Sequence, residues 1–403
     1  MNAYLIPSHR RLYPFDDLPA AWRVLDRELL QLQRETLAAC GLQLVEHEEE
    51  AQILLSDALY FTPEALQLFL AQGKPGQAVA RQGLFTERVL WHLPRDAQGN
   101  VPLPLWRKGS QDPVLLTLDE ETFDAPMPTH MGVAPGKGLE ALLTRLVLIE
   151  IQTWPNLFQA NVQALMARSK RAKHLPWWRG LYAWLRGGGS LSGAMQHLNT
   201  IGKGCDIHPT AVVELSEIGD GARIGAHAVV RMSVVGPGAN IDDHASVRAS
   251  VIGAGASVAN NNNVLMCVVY PRAFIISGPY QFSMFGTETA IMHCICCDTR
   301  LDGRTIVAEV GPGQSVDSQQ RYLGTCYGHG VRAGAGTITA PGRAIPNELF
   351  FLPHPDLVVA KVAQDLPRRK NLFTEGGTLT FRSRPPEVTV TVPVAAESPD
   401  LAR

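Results

Sequence analysis

Counting from Ile201 in steps of six, six and five residues lands on Ile or Val fourteen times in succession: Ile201, Ile207, Val213, Ile218, Ile224, Val230, Val235, Ile241, Val247, Ile252, Val258, Val264, Val269 and Ile275. The glycines keep the same beat, with Gly202, Gly219, Gly236 and Gly253 seventeen residues apart and Gly204, Gly221, Gly238 and Gly255 likewise. Each six-residue step reads as one short strand plus a corner, and three steps make one triangular coil. One β-branched residue per face points inward, and a small residue after it lets the backbone turn where a Cβ would clash. Strands pair with the coils above and below, so no coil is stable alone.

The I-G-x-G heading of each coil, as in Ile218-Gly219-Asp220-Gly221, resembles the hexapeptide-repeat family. It looks like the solenoid attached to sugar-nucleotide pyrophosphorylases and to N-acetylglucosamine-1-phosphate uridyltransferase. The resemblance covers residues 201–276 and resumes at GVRAGAGTITAPGRAIPN, residues 330–347, where Ala333, Thr339, Ile345 and Phe351 fall on the six-residue beat. It implies a left-handed parallel β-helix, a homotrimer, and a transferase of sugar-nucleotide or cell-envelope metabolism. The implied donor is an acyl-CoA and the implied partner substrate a sugar or nucleotide-sugar. IGAGAS also fits a dinucleotide-binding G-x-G-x-x-G string, but that loop needs a strand before it, a helix after it and an acidic residue downstream.

Between Ile275 and Val310 the beat is lost, so an inserted loop is expected over 277–309, carrying Tyr280, Phe282, Met284, Phe285, His293 and three cysteines. A loop leaving a rigid solenoid is a natural place for a site, or it is an insertion packed on the coils. Acyl transfer needs a base to take the proton of the attacking hydroxyl or amine. His329, flanked by Gly328 and Gly330, is the first candidate and His293 the second, with Tyr327, Asn263 and Tyr280 as substrate contacts. The run Gln319-Gln320-Arg321-Tyr322-Leu323-Gly324 is similar to the H-L-x-Y-L-G segment of the uridyltransferase's acetyltransferase half, with Gln319 where that family has His. Gln cannot act as a general base at neutral pH. The string His293-Cys294-Ile295-Cys296-Cys297 offers soft donors without a C-x₂-C pair and reads as small buried hydrophobes rather than a metal centre. His227 and His244 read as surface residues, and Asn260 to Asn263 as a corner with a side-chain ladder.

The first half, residues 1–136, reads as α/β. Residues 20–40 are expected to form an amphipathic helix, and ILLSDALYFTPEALQLFLAQG a strand, a turn and a helix with Thr62 as N-cap and Pro63 first in the helix. The strand-Asp-loop-helix order around Asp57 looks like the metal-binding region of sugar nucleotidyltransferases, which implies Mg²⁺ if nucleotidyl transfer survives. The Gly-rich loop of those enzymes is absent from MNAYLIPSHRRLYPF, so the expectation is a degenerate nucleotidyltransferase-like domain with Asp57 as a turn residue. Residues 137–175 look helical with a break at Pro155, opening a connector that runs to residue 200. Trp177, Trp178, Tyr182 and Trp184, within 176–186, would either cap the first coil or contact a membrane surface peripherally. The solenoid is expected over 201–365 and an extension over 366–403, with a strand at Val388–Val392.

With 36 basic and 38 acidic side chains in 403 residues and a formal net charge of -2, nucleic acid is not the expected partner. The N-terminus has no apolar stretch after its basic residues, no run is long enough to span a bilayer, and seven cysteines fit reduced thiols, so a cytoplasmic location is expected. Two functions stay open: an acyltransferase using a His base, and a scaffold or nucleotide-sugar sensor that has lost its chemistry.

Overall fold

The computed structural model describes residues 1–125, 139–173, 176–364, 366–367 and 372–380. The expected solenoid is present, and its inward column is the Ile/Val beat: Ile218, Ile224, Val230, Val235, Ile241, Val247, Ile252, Val258, Val264, Val269 and Ile275 are all buried. The coils make three parallel sheets. Face A has eight strands, from Thr200–Ile201 through Val234–Val235, Met284–Phe285 and Cys326–Tyr327 to Ala344–Ile345. Face B has eight, from Asp206–Ile207 to Phe350–Phe351; face C has five, from Val212–Glu214 to Tyr280–Gln281, followed by the separate pair Ile295–Cys296 and Ile338–Thr339. A second ladder runs inside. Ser216, Ser233 and Ser250, also seventeen apart, are buried, and each hydroxyl accepts the N–H of the residue one coil on, at 3.2, 3.2 and 3.0 Å. A buried hydroxyl so paired costs little, whereas an unpaired one would cost about 1–3 kcal/mol.

The beat does not end at Ile275. Tyr280, Phe285 and Ile291 pair in register with Val264, Val269 and Ile275, so one coil is simply sixteen residues long instead of seventeen. The aromatic ring of Tyr280 replaces a β-branched residue in the column, which hid the repeat. The insertion therefore is not 277–309: it opens after the strand Ile295–Cys296, contains the antiparallel hairpin Val307–Gly311 with Gln314–Asp317, and closes before Cys326–Tyr327.

The N-terminal half holds a six-stranded mixed sheet in the order Gln43–Leu44, Asn2–Ile6, Ile53–Ser56, Val101–Arg107, Gly76–Ala80, Pro113–Leu116. Helix α1 spans Leu29–Ala39, starting later than expected because residues 19–28 form a 3-10 turn and a two-residue hairpin. Helix α2, Pro63–Ala71, follows Thr62 as expected, although the Thr62 hydroxyl donates to the Arg145 carbonyl at 2.6 Å rather than capping α2. A short α3 spans Leu84–Arg88. The region expected to be helical from 137 contains strands Leu139–Leu143 and Leu148–Glu150 before α4, Trp154–Lys173. Pro155 sits at the start of α4, where its missing N–H costs nothing, and does not break it. Helices α5 (Trp177–Arg186) and α6 (Leu191–Gln196) lead into the solenoid. The first coil is closed by α6, with Leu215 N–H donating to the Met195 carbonyl at 3.1 Å, and not by the aromatics of α5.

These two halves form one unit, Met1–Leu352. The outward residues of face A from the third coil on are Val234, Val251, Val268, Met284, Cys326 and Ala344, and all are buried in one apolar cluster with the N-terminal core. Residues 353–403 form a second unit, containing a three-stranded sheet of Lys361–Val362, Phe373–Glu375 and Thr378–Thr380. Val388–Val392 lies outside the described residues. Among the described residues no helix is long and apolar enough to cross a membrane.

Met284→Asp should lower stability by at least about 3 kcal/mol because it buries an unpaired charge beneath the N-terminal half, whereas Ala290→Asp, on face B of the same coil, should change it by about 0.5 kcal/mol or less. Urea midpoints of the two variants check this. A pH series tests His92, whose Nε2–H donates to the Glu150 carbonyl at 2.9 Å while Nδ1 accepts from Asn156 at 3.0 Å. Burial holds its pKa down from 6.5 to about 4, so the unfolded chain binds the extra proton between those values. Stability should be full above pH 6.5 and fall toward pH 4 by on the order of 3 kcal/mol, and His92→Asn should flatten that slope.

Candidate functional site

Each coil turns its corners through left-handed residues, and one column of corners carries His227, His244, Asn261, Ser277 and His293, with φ between 49° and 58°. Asn and His tolerate that region better than bulky side chains do. His227 and His244 are exposed and stack at 5.0 Å, as surface residues. The asparagine corner is a ladder as expected: buried Asn262 donates to the Ile275 carbonyl at 3.2 Å and accepts from Gly278 N–H at 3.0 Å.

His293 stands in the same column further along, at a corner one residue shorter than those of His227 and His244. Its N–H donates to the Ile276 carbonyl and its own carbonyl accepts from Gly336 N–H, both at 3.1 Å, so the backbone is fixed on both sides. Its imidazole is exposed and has no hydrogen-bond partner among the described residues. Exposed apolar residues flank it along the chain, Met292 at the end of face B and Ile295 on face C, and Ile295 forms an apolar shelf with exposed Ile338, which pairs with it in register from the next coil. A rigidly anchored, solvent-facing imidazole next to an apolar shelf can accept a proton and can hold an aliphatic chain close by.

His329 has a different environment. Its Nδ1 accepts the Thr287 N–H at 2.9 Å, which leaves the ring proton on Nε2, and Nε2–H donates to Asp17 Oδ2 at 2.9 Å. The ring packs against Phe15 and Tyr270, with centroids at 5.0 and 5.9 Å. Both nitrogens are thus engaged, one by the solenoid and one by the N-terminal half, and the single ring lone pair, on Nδ1, is taken by the Thr287 N–H. His329 is a latch between the halves.

The structure separates the expected substrate contacts from both histidines' surroundings. Tyr327 and Tyr280 are fully buried in the solenoid column; Tyr327 Oη lies 3.2 Å from Cys296 Sγ, and Tyr280 donates to the Ile276 carbonyl at 2.7 Å. Burial pushes both phenols well up. Asn263 faces outward on face C, where its side chain accepts from Arg248 at 3.1 Å. Cys294 and Cys296 point inward, and burial raises the Cys296 thiol to about 11. Among the described residues no group of three His, Cys, Asp or Glu side chains could hold a metal.

The insertion packs away from His293, under the N-terminal half. Trp154 donates to the Glu309 carbonyl at 2.7 Å, Gln320 to the Arg88 carbonyl at 3.0 Å, and Ile306, Ala308 and Leu323 join the shared core. Gln319 is an exposed left-handed residue just beyond the hairpin. In the N-terminal half, Asp57 Oδ1 accepts the Ser8 N–H at 3.0 Å, closing the loop after the first strand as a turn residue. That loop continues into Arg10, which donates to the Ile151 carbonyl at 3.1 Å, and into Tyr13 and Phe15 on the solenoid. Among the described residues no metal-holding group of His, Cys, Asp or Glu includes Asp57, and the loop's polar groups are spent on the fold, so the residues present do not fit Mg²⁺.

Residues 193–281 match the family model of the GMPPB C-terminal domain. No curated protein matches the chain. Among solved structures, a hexapeptide transferase family protein from Anaplasma phagocytophilum aligns at 16% identity over 38% of this chain and 74% of its own, with a TM-score of 0.24. A histidine-to-alanine mutant of the GDP-perosamine N-acetyl transferase of Caulobacter crescentus, in complex with CoA and GDP-perosamine, aligns at 16% identity over 40% of this chain and 58% of its own, with a TM-score of 0.15. The UDP-N-acetylglucosamine acyltransferase of Campylobacter jejuni aligns at 14% identity over 37% and 68%, with a TM-score of 0.16. Alignments this distant carry no reaction or substrate across. The second half of this chain is a parallel β-helix of six-residue repeats, and part of it is similar to the GMPPB C-terminal domain.

Proposed function

We propose that this protein transfers an acyl group from an acyl-CoA to a sugar or nucleotide-sugar acceptor, with His293 as the general base. The observation that carries the reading is the free imidazole of His293 on a rigid corner, two residues before Ile295, whose exposed side chain forms a shelf with Ile338. In the step, the acceptor's hydroxyl or amine attacks the thioester carbonyl, His293 takes its proton, and the CoA thiolate leaves and is protonated in turn. The apolar shelf suits the aliphatic arm of the donor. Assembly as a homotrimer would use face B or C, because face A is covered by the N-terminal half from the third coil on. His329 and Asp17 hold that cover in place and take no part in the chemistry.

A second reading, a nucleotide-sugar-binding scaffold, is favoured by Gln319 at the position where the resembling enzymes carry His, and by the engaged nitrogens of His329.

The test is product formation from acetyl-CoA and longer acyl-CoAs with a panel of nucleotide-sugars, followed by mass spectrometry. His293→Ala should lower kcat/KM by about 10²–10⁴. His329→Gln should leave the rate within about threefold while lowering stability by roughly 1–2 kcal/mol, read by thermal melting, with Asp17→Asn giving a similar loss. Full activity in His293→Ala would remove the assignment; tight nucleotide-sugar binding without turnover in the wild type would establish the scaffold.

A further inference from the structure

Helix α5 carries its apolar face outward. At 100° per residue, Trp184, Trp177, Leu181, Leu185, Trp178 and Tyr182 fall in that order on one continuous arc, Arg186 and Arg179 border it, and Ala183 lies on the opposite side. Only Ala183 is buried; the six large side chains are 46–79% exposed. The side toward the protein is made by small residues, with Gly187 so close to Gly193 and Ala194 of α6 that a Cβ there would stand 2.3 Å from their backbone. A ten-residue helix fixed by its small side and presenting three tryptophans, a tyrosine and two leucines is the reverse of a helix packed for solubility.

The surrounding charge selects the occupant. From residue 151 to residue 205 there is no Asp or Glu, while Arg168, Lys170, Arg171, Lys173, Arg179, Arg186 and Lys203 lie within it, in a chain whose net charge is -2. Arg168, Lys170 and Arg171 are paired with Glu217, Asp119 and Glu64, and Arg179 has no partner among the described residues. A cleft of about 260 Å³ opens beside the helix, lined by Arg168, Arg171, Arg179 and His197. A protein partner would need a deep apolar pocket matched to the aromatics; an anionic bilayer supplies apolar depth and phosphate charge together. Trp and Tyr with bordering Arg are suited to the boundary between headgroups and acyl chains.

We infer that α5 is a peripheral docking helix for an anionic phospholipid surface, with the arginine cleft receiving a lipid phosphate. The test is co-sedimentation of the full chain with phosphatidylglycerol-containing and pure phosphatidylcholine vesicles, at low and high salt, alongside tryptophan emission. The wild type should pellet with the anionic vesicles at low salt, with a blue shift, and be released by salt. Trp177→Ser/Trp178→Ser/Trp184→Ser should lose binding to the anionic vesicles, and Arg179→Glu/Arg186→Glu should lower affinity for them by at least about tenfold. Both variants should melt like the wild type, since the changed side chains are exposed. Wild-type protein left in the supernatant at low salt, or triple-serine protein that still pellets, overturns the inference. So does a wild-type oligomer that ignores vesicles and that the triple-serine change dissociates, since the occupant would then be a second copy of the chain.

Discussion

The architecture depends on one apolar row. On face A the outward positions change from Thr200 and Glu217 to Val234, Val251, Val268, Met284, Cys326 and Ala344, and that row is what the N-terminal half sits on. Burying a valine- or methionine-sized side chain stabilises by roughly 1.5–3 kcal/mol, so the row makes a join comparable in strength to a domain core. Polar contacts then fix its register. Asp26 accepts the Ala254 N–H at 2.9 Å, Arg23 N–H donates to Tyr270 Oη at 3.2 Å, and Asn347 donates to the Phe15 carbonyl at 2.8 Å. Gly236 and Gly253 serve both halves at once, since a Cβ at either would strike the next coil's backbone and the Asp26 carboxylate.

The join also divides the two histidines. Both sit near a left-handed corner of the solenoid, but residue 329 lies under the row's far end, where Asp17, Phe15 and Tyr270 enclose it. Residue 293 lies on a corner between faces B and C, which the join does not reach. A glycine-flanked histidine looks accessible in a string, and flanking glycines do give the backbone room. Here that room is filled by a different part of the chain.

Much of the solenoid was legible because its core is a column: one inward residue per face, at fixed spacing, needs no knowledge of distant contacts. The same rule extends to the sixteen-residue coil, where Tyr280 and Phe285 continue the column in place of Ile and Val, and to the serines at 216, 233 and 250. What the repeat could not reveal was what covers face A. The signal was present as paired apolar residues, Val234-Val235, Val251-Ile252, Val268-Val269 and Met284-Phe285, in which the first residue points out and the second in. The N-terminal half gave less because its strands are short and mixed in direction. The stretch after residue 137 combines strands and a helix whose starts depend on partners such as Leu59–Phe61, about ninety positions earlier.

Asp17, Arg23 and Asp26 meet residues of the solenoid more than two hundred positions further along the chain. Coils can add one at a time by local pairing, but the N-terminal half cannot complete its core until face A exists as far as Ala344. Synthesis runs in the opposite sense, delivering residues 13–28 before the solenoid they pack on. A segment that leaves the ribosome ahead of the solenoid is thus among the last to find its place, and until then its Tyr13, Phe15 and Trp22 remain uncovered, an exposure that grows with the length of chain still to be made.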